Sequence, residues 1–357
     1  MVTISLCMIV KDEEKRLGQC LKSIKDIVDQ IVIVDTGSTD HTKEIATEYT
    51  TDVYDFKWID DFAAARNYSF SKAECDYILW LDADDILLTD DADKLKELKE
   101  RLGPDVDGVT FLYHYAFDEE KKPTLVFRRT RLIKREKNYK WKGFIHEYID
   151  VNGKVIDENI IVTHTRDHGD SDRNLNLYIK KKKEGVLFNS RDQYYYAKEI
   201  YYHGKLEEAI RELTKSTTMD LWMEDKLDAY YCIADCYQWQ GEYKKAREAV
   251  YPCFELATPR AEGLYRLAKA FQEEKNYASA IYWYESIFGL KKPDTSGFIF
   301  EEYWTWKPHL ELCCCYYGIN EVKKAILHNE KAAEFKPNDG AVQYNREFFK
   351  SLEDKKA

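Results

Sequence analysis

Short apolar runs alternate with amphipathic segments in the first half of the chain. Two of these runs end abruptly in acidic or small polar residues and predict buried strands, Thr3–Val10 and Gln30–Val34. Two more predict a short strand at Asp52–Phe56 and a strand at Asp76–Leu81. The segments between them, at residues 14–26, 40–49 and 61–73, predict helices, the first because Leu17, Leu21 and Ile24 follow helical spacing. This order of elements predicts a Rossmann-like α/β fold, in which helices cover both faces of a mostly parallel sheet.

From about residue 190 the pattern changes to a repeat. Four similar segments end in alanines that lie 37, 34 and 45 residues apart: Ala209, Ala246, Ala280 and Ala325. The middle spacing equals the period of tetratricopeptide repeats. Each unit also has a small residue where the two helices of a hairpin would approach closely: Ala197, Ala234, Ala268 and Cys313. The longest spacing predicts an inserted loop around Lys291–Ile299. We therefore expect an α/β domain over residues 1–185 and an all-α domain of tetratricopeptide-type hairpins over 186–357.

Composition and charge exclude several classes of protein. The net charge of −11 argues against a nucleic-acid partner, because phosphate backbones call for basic surface. The early apolar run Ile4–Val10 is too short to span a membrane and lacks the features of a signal peptide. The nine cysteines stand in apolar contexts without zinc spacing, which indicates buried, reduced thiols. These features predict a cytoplasmic protein without a membrane span. The helical repeats allow a homodimer but do not require one.

The strongest chemical pattern is Asp82-Ala83-Asp84-Asp85, which follows a predicted buried strand. Carboxylates at i and i+2 project towards one loop cavity, where their charge is unfavourable unless a cation or hydrogen-bond donors compensate it. A hard divalent ion would do so, and it would also suit a diphosphate leaving group. The alternative is a solvated acidic turn that caps the next helix.

Two further clusters follow predicted strands. In the segment 33–42, Asp35 ends a buried strand and needs a partner there, while a structural role explains its serine, threonines and second aspartate. In the segment 62–67, Arg66 lies on a helix face of small residues, and a guanidinium suits diphosphate geometry. The alternative for Arg66 is a surface salt bridge.

These clusters, with residues 8–14 before them, resemble the family 2 glycosyltransferases of the GT-A fold in order and spacing over roughly residues 1–165. The resemblance implies a UDP-sugar donor. It also implies that Glu13 and Asp35 hold the uridine and that Arg66 approaches the nucleotide.

The same resemblance implies a metal centre. Asp82 would lie near the ribose and Asp84 would bind Mn²⁺ or Mg²⁺, with the relative strength of Asp84 and Asp85 as ligands left open. The resemblance also suggests His164 as a metal or diphosphate ligand, against the alternative of a hydrogen-bonded core histidine. His168 is a weaker candidate.

Residues 128–133 and 141–147 narrow the resemblance to family 2 transferases with C-terminal tetratricopeptide repeats, a group that includes sublancin-type peptide S-glycosyltransferases, which modify bacteriocins. By position, Glu147 is the candidate general base, with His146 orienting it or contacting phosphate. A base there must take a proton from the acceptor as it attacks the anomeric carbon. The alternative is that Glu147 merely pairs with a nearby arginine.

The resemblance implies an inverting, metal-dependent transfer of a hexose or N-acetylhexosamine. Helical repeats form extended concave surfaces that hold peptides, so a peptide or protein acceptor, modified on Cys or on Ser/Thr, is the leading hypothesis. One alternative is a saccharide or lipid-linked acceptor of envelope assembly. Another is a scaffold without catalysis, against which the charged motifs argue.

Overall fold

We describe the protein from a computed structural model, over residues 1–118, 121–165, 172–293, 295, 297 and 299–354. The chain forms two compact units, Met1–Asp172 and Arg173–Ala357. The domain boundary expected between residues 185 and 186 stays a prediction.

An eight-stranded sheet forms the centre of the first unit, in the order β3-β2-β1-β4-β7-β6-β10-β5, and β8 and β9 form a separate pair. The strands are β1 (Ile4–Val10), β2 (Gln30–Asp35), β3 (Val53–Asp55), β4 (Tyr77–Trp80), β5 (Asp85–Leu87), β6 (Gly108–Phe117), β7 (Pro123–Lys134), β8 (Trp141–Lys142), β9 (Tyr148–Ile149) and β10 (Val155–His164). The four predicted strands are β1 to β4, and they pair in parallel. The expected α/β fold is therefore confirmed.

The remaining strands make the sheet mixed. β7 runs antiparallel to both β4 and β6, β5 runs antiparallel to β10, and β6 and β10 are parallel. The strand order reverses beside β1, between β1 and β4. In open α/β sheets, ligands bind at such a reversal, outside the carboxyl ends of the strands.

The helices of the first unit are α1 (Leu17–Ile24), α2 (Thr42–Thr47), α3 (Phe62–Phe70) and α4 (Thr89–Arg101), with a 3-10 turn at Arg135–Lys137. The first three match the predicted helices, and α3 begins after Asp61, whose carboxylate accepts from the backbone amide of Ala64 at 2.8 Å. Strand alternation divides the core between the two faces. Leu6 and Met8 of β1 pack with residues of α1 and α4, whereas Cys7 packs with residues of α3.

All regular secondary structure described in the second unit is helical. Its helices are α5 (Arg173–Lys183), α6 (Ser190–Tyr202), α7 (Leu206–Thr217), α8 (Met223–Trp239), α9 (Tyr243–Val250), α10 (Cys253–Leu256), α11 (Ala261–Glu273), α12 (Tyr277–Ile287), α13 (Glu301–Trp304), α14 (Trp306–Gly318), α15 (Val322–Phe335) and α16 (Gly340–Asp354). The pairs α6/α7, α8/α9, α11/α12 and α14/α15 are the four predicted hairpins. The repeat alanines are buried within them: Ala209, Ala246, Ala280 and Ala325. The expected inserted loop lies between α12 and α13.

All nine cysteines are free thiols, and seven of them are buried. Cys75 is half-buried and Cys314 is exposed on α14, so the expectation of burial is wrong for Cys314. None of the helices in the described ranges combines the length and the apolar character needed to cross a bilayer.

Candidate active site

The carboxyl ends of three neighbouring parallel strands carry the predicted acidic residues. Asp35 is the last residue of β2, Glu13 follows β1, and Asp82 and Asp84 follow β4. Because β1 lies between β2 and β4, these side chains share one edge of the sheet. The α/β topology thus places the predicted acids where a ligand is expected.

Asp35 is fixed by one of its carboxylate oxygens. Its Oδ1 accepts hydrogen bonds from the backbone amides of Gly37 and Ser38, both at 2.9 Å. Gly37 adopts a φ of 109°, a left-handed conformation that glycine tolerates at little cost and that shapes this turn. Oδ2 is buried and has no hydrogen-bond partner among the described residues. A buried carboxylate oxygen in that state is a place for a donor from a ligand.

The loops after β1 and β2 are tied together by hydrogen bonds. Asp12 accepts from the backbone amide of Thr39 at 2.7 Å and donates its own amide to the Ser38 hydroxyl at 3.0 Å. The amide of Glu13 donates to the Thr42 hydroxyl at 2.7 Å. The serine and threonines of this cluster therefore have the structural role that the sequence allowed them. Their bonds hold the Glu13 backbone in place.

Arg66 joins two of the predicted site residues, Asp82 and Glu147. Its Nη2 donates to Asp82 Oδ1 and its Nε to Glu147 Oε1, each at 2.6 Å. Burial alone would lower the pKa of Arg66, but the charges of Asp82 and Glu147 outweigh burial and raise it. Burial would likewise raise the pKa of Asp82, but Arg66 and the neighbouring arginines hold it well below its ordinary value. The Arg66 guanidinium and the Asp82 carboxylate are therefore charged.

Two tryptophans enclose the Arg66 guanidinium, whose central carbon lies 5.0 Å from the Trp80 ring centroid and 4.9 Å from that of Trp141. The Asn67 side chain fixes the second tryptophan, because its amide nitrogen donates to the carbonyl of Trp141 at 3.0 Å and its oxygen accepts the Trp141 amide at 2.9 Å. Helix α3 is thereby clamped to the segment that carries Glu147. Arg66 is only 6% exposed, so the alternative of a surface salt bridge is wrong. In this arrangement its guanidinium is also not open to a ligand.

A second cluster consists of Asp84, Asp85 and His164, whose possible ligand atoms all lie within 4.8 Å of one another. The antiparallel pairing of β5 with β10 sets His164 opposite Asp85. Burial and the neighbouring charge of Asp82 raise the pKa of Asp84, so its ionised form is disfavoured without a cation. Two carboxylates and an imidazole form a donor set that fits Mn²⁺, whereas Mg²⁺ prefers oxygen ligands alone.

The two carboxylates of this cluster differ in their surroundings. Asp85 is fully buried, pairs with Arg131 at 2.9 Å and accepts a hydrogen bond from the Tyr113 hydroxyl at 2.8 Å. Asp84 lies 3.6 Å from His164 and pairs with no arginine among the described residues. Asp84 is thus the carboxylate less engaged with other protein groups.

Three candidate residues remain, Glu147, His146 and His168, and the structure describes two of them. Glu147 does pair with an arginine, as the alternative interpretation held, so its role as a base stays a prediction. His146, beside it, is half-buried and adopts a left-handed φ of 48°. His168 lies outside the described residues.

Several residues at this site were not predicted from the sequence. Arg129 and Arg131 lie on one face of β7, Tyr113 comes from β6, and Trp80 and Trp141 enclose Arg66. The one sequence feature that could have indicated any of them is the spacing of Arg129 and Arg131. Basic residues at i and i+2 in a strand share a face, and here apolar residues flank them.

Part of the chain matches the model of a known protein family. Residues 5–153 match the model for glycosyl transferase family 2. The chain is 38% identical over 152 residues to a TPR repeat-containing protein of Synechococcus elongatus, covering 42% of this chain and 36% of the relative. It is 29% identical over 238 residues to the SPbeta prophage-derived glycosyltransferase SunS of Bacillus subtilis, covering 60% of this chain and 53% of the relative. The chain thus spans between about a third and a half of the length of these relatives.

Among solved structures, the chain is similar to glucosyl-3-phosphoglycerate synthase from Mycobacterium tuberculosis, in complex with Mg²⁺ and uridine diphosphate. The identity is 15% and the TM-score 0.37, over 52% of this chain and 81% of that one. A likeness at this level carries no argument about function.

Proposed function

From the match of residues 5–153 to the model for glycosyl transferase family 2, we propose that this protein is an inverting, metal-dependent glycosyltransferase. It transfers a hexose or N-acetylhexosamine from a UDP-sugar to a peptide or protein side chain. The observation that carries the proposal is the cluster of Asp84, Asp85 and His164 beside Asp82, at the carboxyl edge of the sheet.

Asp84 and His164 are the residues proposed to hold Mn²⁺ or Mg²⁺. The contacts of Asp85 with Arg131 and Tyr113 support Asp84 as the tighter carboxylate ligand, because Asp85 already has partners for both oxygens. When bound, the ion offsets negative charge that develops on the diphosphate leaving group. The cluster therefore supplies the electrostatic part of the proposed reaction.

Glu13 and Asp35 are proposed to bind the uridine. The buried Oδ2 of Asp35 supports this assignment, because a uracil N–H or a ribose hydroxyl would supply the donor that none of the described residues supplies. Asp82 is proposed to lie near the ribose, held ionised by Arg66. The Arg66 contact with the nucleotide also stays a proposal, and it requires the present pairs to loosen.

Glu147 is proposed as the general base, positioned by Arg66 and assisted by His146. Arg66 is the one hydrogen-bond donor to the Glu147 carboxylate in the part of the chain that the structure describes, and it contacts only Oε1. The second oxygen is available to a proton. In the reaction, the acceptor oxygen or sulfur bonds to the anomeric carbon, the bond to UDP breaks on the opposite face, and Glu147 takes the acceptor proton.

The helical unit is proposed to bind the polypeptide acceptor. Stacked hairpins form extended surfaces that hold peptides, and this unit exposes large aromatic side chains, among them Trp222 at 49% and Trp239 at 60%. The bacteriocin-modifying subgroup suggests Cys, Ser or Thr as the acceptor residue. A cytoplasmic location is consistent with such an acceptor and stays a proposal.

A transfer assay tests the proposal. A panel of UDP-sugars is offered with peptides encoded by neighbouring genes, with Mn²⁺ or with EDTA, and products are identified by mass spectrometry. We expect a peptide heavier by one sugar, formed only with metal. Asp84→Ala should slow transfer at least about 100-fold, since metal stabilisation of a leaving group is worth several kcal/mol. Asp93→Ala removes a half-exposed carboxylate of α4 and serves as the matched control.

The outcomes separate the alternatives. Full activity of Asp84→Ala in EDTA would remove the metal assignment. Transfer to saccharide or lipid-linked acceptors but to no peptide would point to envelope assembly. If calorimetry detects no binding of any UDP-sugar in the presence of Mn²⁺, the protein is a scaffold and the proposed activity is wrong.

A further inference from the structure

Three arginines surround one tryptophan at the candidate active site. The guanidinium carbons of Arg66, Arg129 and Arg131 lie 5.0, 4.8 and 4.0 Å from the Trp80 ring centroid. Such contacts stabilise a cation modestly, by about 0.5–2 kcal/mol each. Three positive charges around one ring repel one another, so each needs an anion nearby.

Two of these arginines have their anions within the protein. Arg66 pairs with Asp82 and Glu147, each at 2.6 Å. Arg131 pairs with Asp85 at 2.9 Å and is fully buried. Neither guanidinium is free to bind a ligand unless these pairs break.

Arg129 differs from both. In the ranges that the structure describes, its side chain has no hydrogen bond and no ion pair, and its cation–π contact with Trp80 is its one polar interaction. Burial, followed by the charge of Arg131, lowers the pKa of Arg129, whereas Asp82 and Glu147 act in the opposite direction. The guanidinium is thus close to the site carboxylates, partly removed from water and without a paired anion.

Contacts with one ring show that Arg129 faces the site. Arg129 lies on the side of Arg131, because both guanidiniums contact Trp80. Arg128 lies on the other side, where it donates to the Glu158 carbonyl and to the Asn159 side chain, each at 3.0 Å. Two consecutive arginines therefore have different surroundings, and Arg128 is a matched control for Arg129.

We propose that Arg129 is the residue that binds the diphosphate of the nucleotide-sugar donor. A guanidinium presents paired donors that match the oxygens of a phosphate, and its charge complements a diphosphate. Arg66 positions Glu147 and Asp82, and its guanidinium is not available to the diphosphate while these pairs are intact. This inference rests on the proposed function, because it takes its ligand from the proposed donor.

The test compares the affinities of the complete chain for uridine and UDP by calorimetry in the presence of Mn²⁺. The variants are Arg129→Gln, Arg129→Lys and the control Arg128→Gln. A hydrogen bond between charged groups contributes about 1.5–3 kcal/mol, so Arg129→Gln should weaken UDP binding roughly 10- to 150-fold. Uridine affinity should not change, because uridine has no phosphate. Arg129→Lys should lie between Gln and the wild type, since it keeps the charge but not the paired donors. Arg128→Gln should bind UDP like the wild type.

Each result has one meaning. Wild-type UDP affinity in Arg129→Gln overturns the inference and leaves the proposed function intact. Equal losses for uridine and UDP in both Arg129 variants also overturn it, because they indicate a role in the structure of the cleft. Absence of UDP binding by the wild type refutes the proposed donor itself, before any variant is compared. Circular dichroism melting of each variant identifies a folding defect, and Arg129→Lys provides the comparison if Arg129→Gln does not fold.

Discussion

The buried ion pair between Arg131 and Asp85 should make Arg131→Met strongly destabilising. Both side chains are 0% exposed and lie 2.9 Å apart, and the guanidinium packs between the rings of Trp80 and Tyr113. Methionine retains apolar volume but leaves the Asp85 carboxylate buried without a counter-charge. Breaking a buried pair in this way costs about 3–5 kcal/mol.

That cost converts into a large change in melting temperature. In a domain of about 150–250 residues, 1 kcal/mol shifts Tm by roughly 2–4 °C, so the first unit should melt roughly 6–20 °C lower. Differential scanning calorimetry of the complete chain measures this shift against the transition of the helical unit. The double variant Arg131→Met/Asp85→Asn should recover most of the loss, because it also removes the unpaired charge.

An exposed ion pair provides the control. Lys96 and Asp93 lie 3.0 Å apart on α4, with side chains 52% and 59% exposed. Lys96→Met should leave Tm unchanged within error, because water already solvates both groups. The reasoning is refuted if Arg131→Met melts like the wild type, or if the double variant is no more stable than the single one.

Three further predictions concern the site and the helical unit. Tyr113→Phe removes a hydroxyl that contacts Asp85 at 2.8 Å and Nδ1 of the proposed ligand His164 at 3.1 Å. It should weaken Mn²⁺ binding about 10- to 100-fold by calorimetry, as loss of a bond to a ligand residue typically does. Glu147→Gln should lower kcat about 10²- to 10⁴-fold in single-turnover transfer, with UDP affinity nearly unchanged; a wild-type kcat would exclude Glu147 as the base. Burial lowers the pKa of His309 and of His328 to about 4, whereas the unfolded chain takes up protons below about pH 6.5. The stability that depends on these two histidines is therefore fully present above pH 6.5 and is lost as pH falls towards 4. The double variant His309→Gln/His328→Gln should flatten the dependence of Tm on pH in that window.

The parallel part of the sheet was predictable because its strands are buried on both faces. The runs 4–10 and 31–34 are apolar except for Ser5, and the charged residues that follow them mark the strand ends. The rule that strand ends meet at one edge then places Asp35, Asp82 and Asp84 together without any knowledge of side-chain contacts.

The antiparallel strands were missed because their composition is mixed. β6 and β7 contain tyrosines, arginines and threonines at half-buried positions, so they lack the uniform apolar character of β1 and β2. The partners of Asp85 depend on these strands, since Tyr113 lies on β6 and Arg131 on β7. The sequence could therefore indicate Asp85 as a candidate ligand but not that other protein groups already engage it.

The ion pair between Arg66 and Glu147 could not be predicted from the sequence for a different reason. The two residues are 81 positions apart, and Glu147 lies outside regular structure, in the turn between β8 and β9. Strand and helix periodicity do not determine side-chain positions in such a turn. The sequence can indicate both residues as candidates, but their contact depends on the fold of this turn.

The pairing of β5 with β10 has a consequence for biosynthesis. β5 lies at the edge of the sheet, and β10, its one neighbour there, ends at His164, 79 residues after Asp85. The cluster of Asp84, Asp85 and His164 is therefore incomplete on the nascent chain until the last strand of the first unit has left the ribosome. A metal ion that needs all three groups can bind only after β10 has paired with β5, and by binding the folded form it then stabilises this unit.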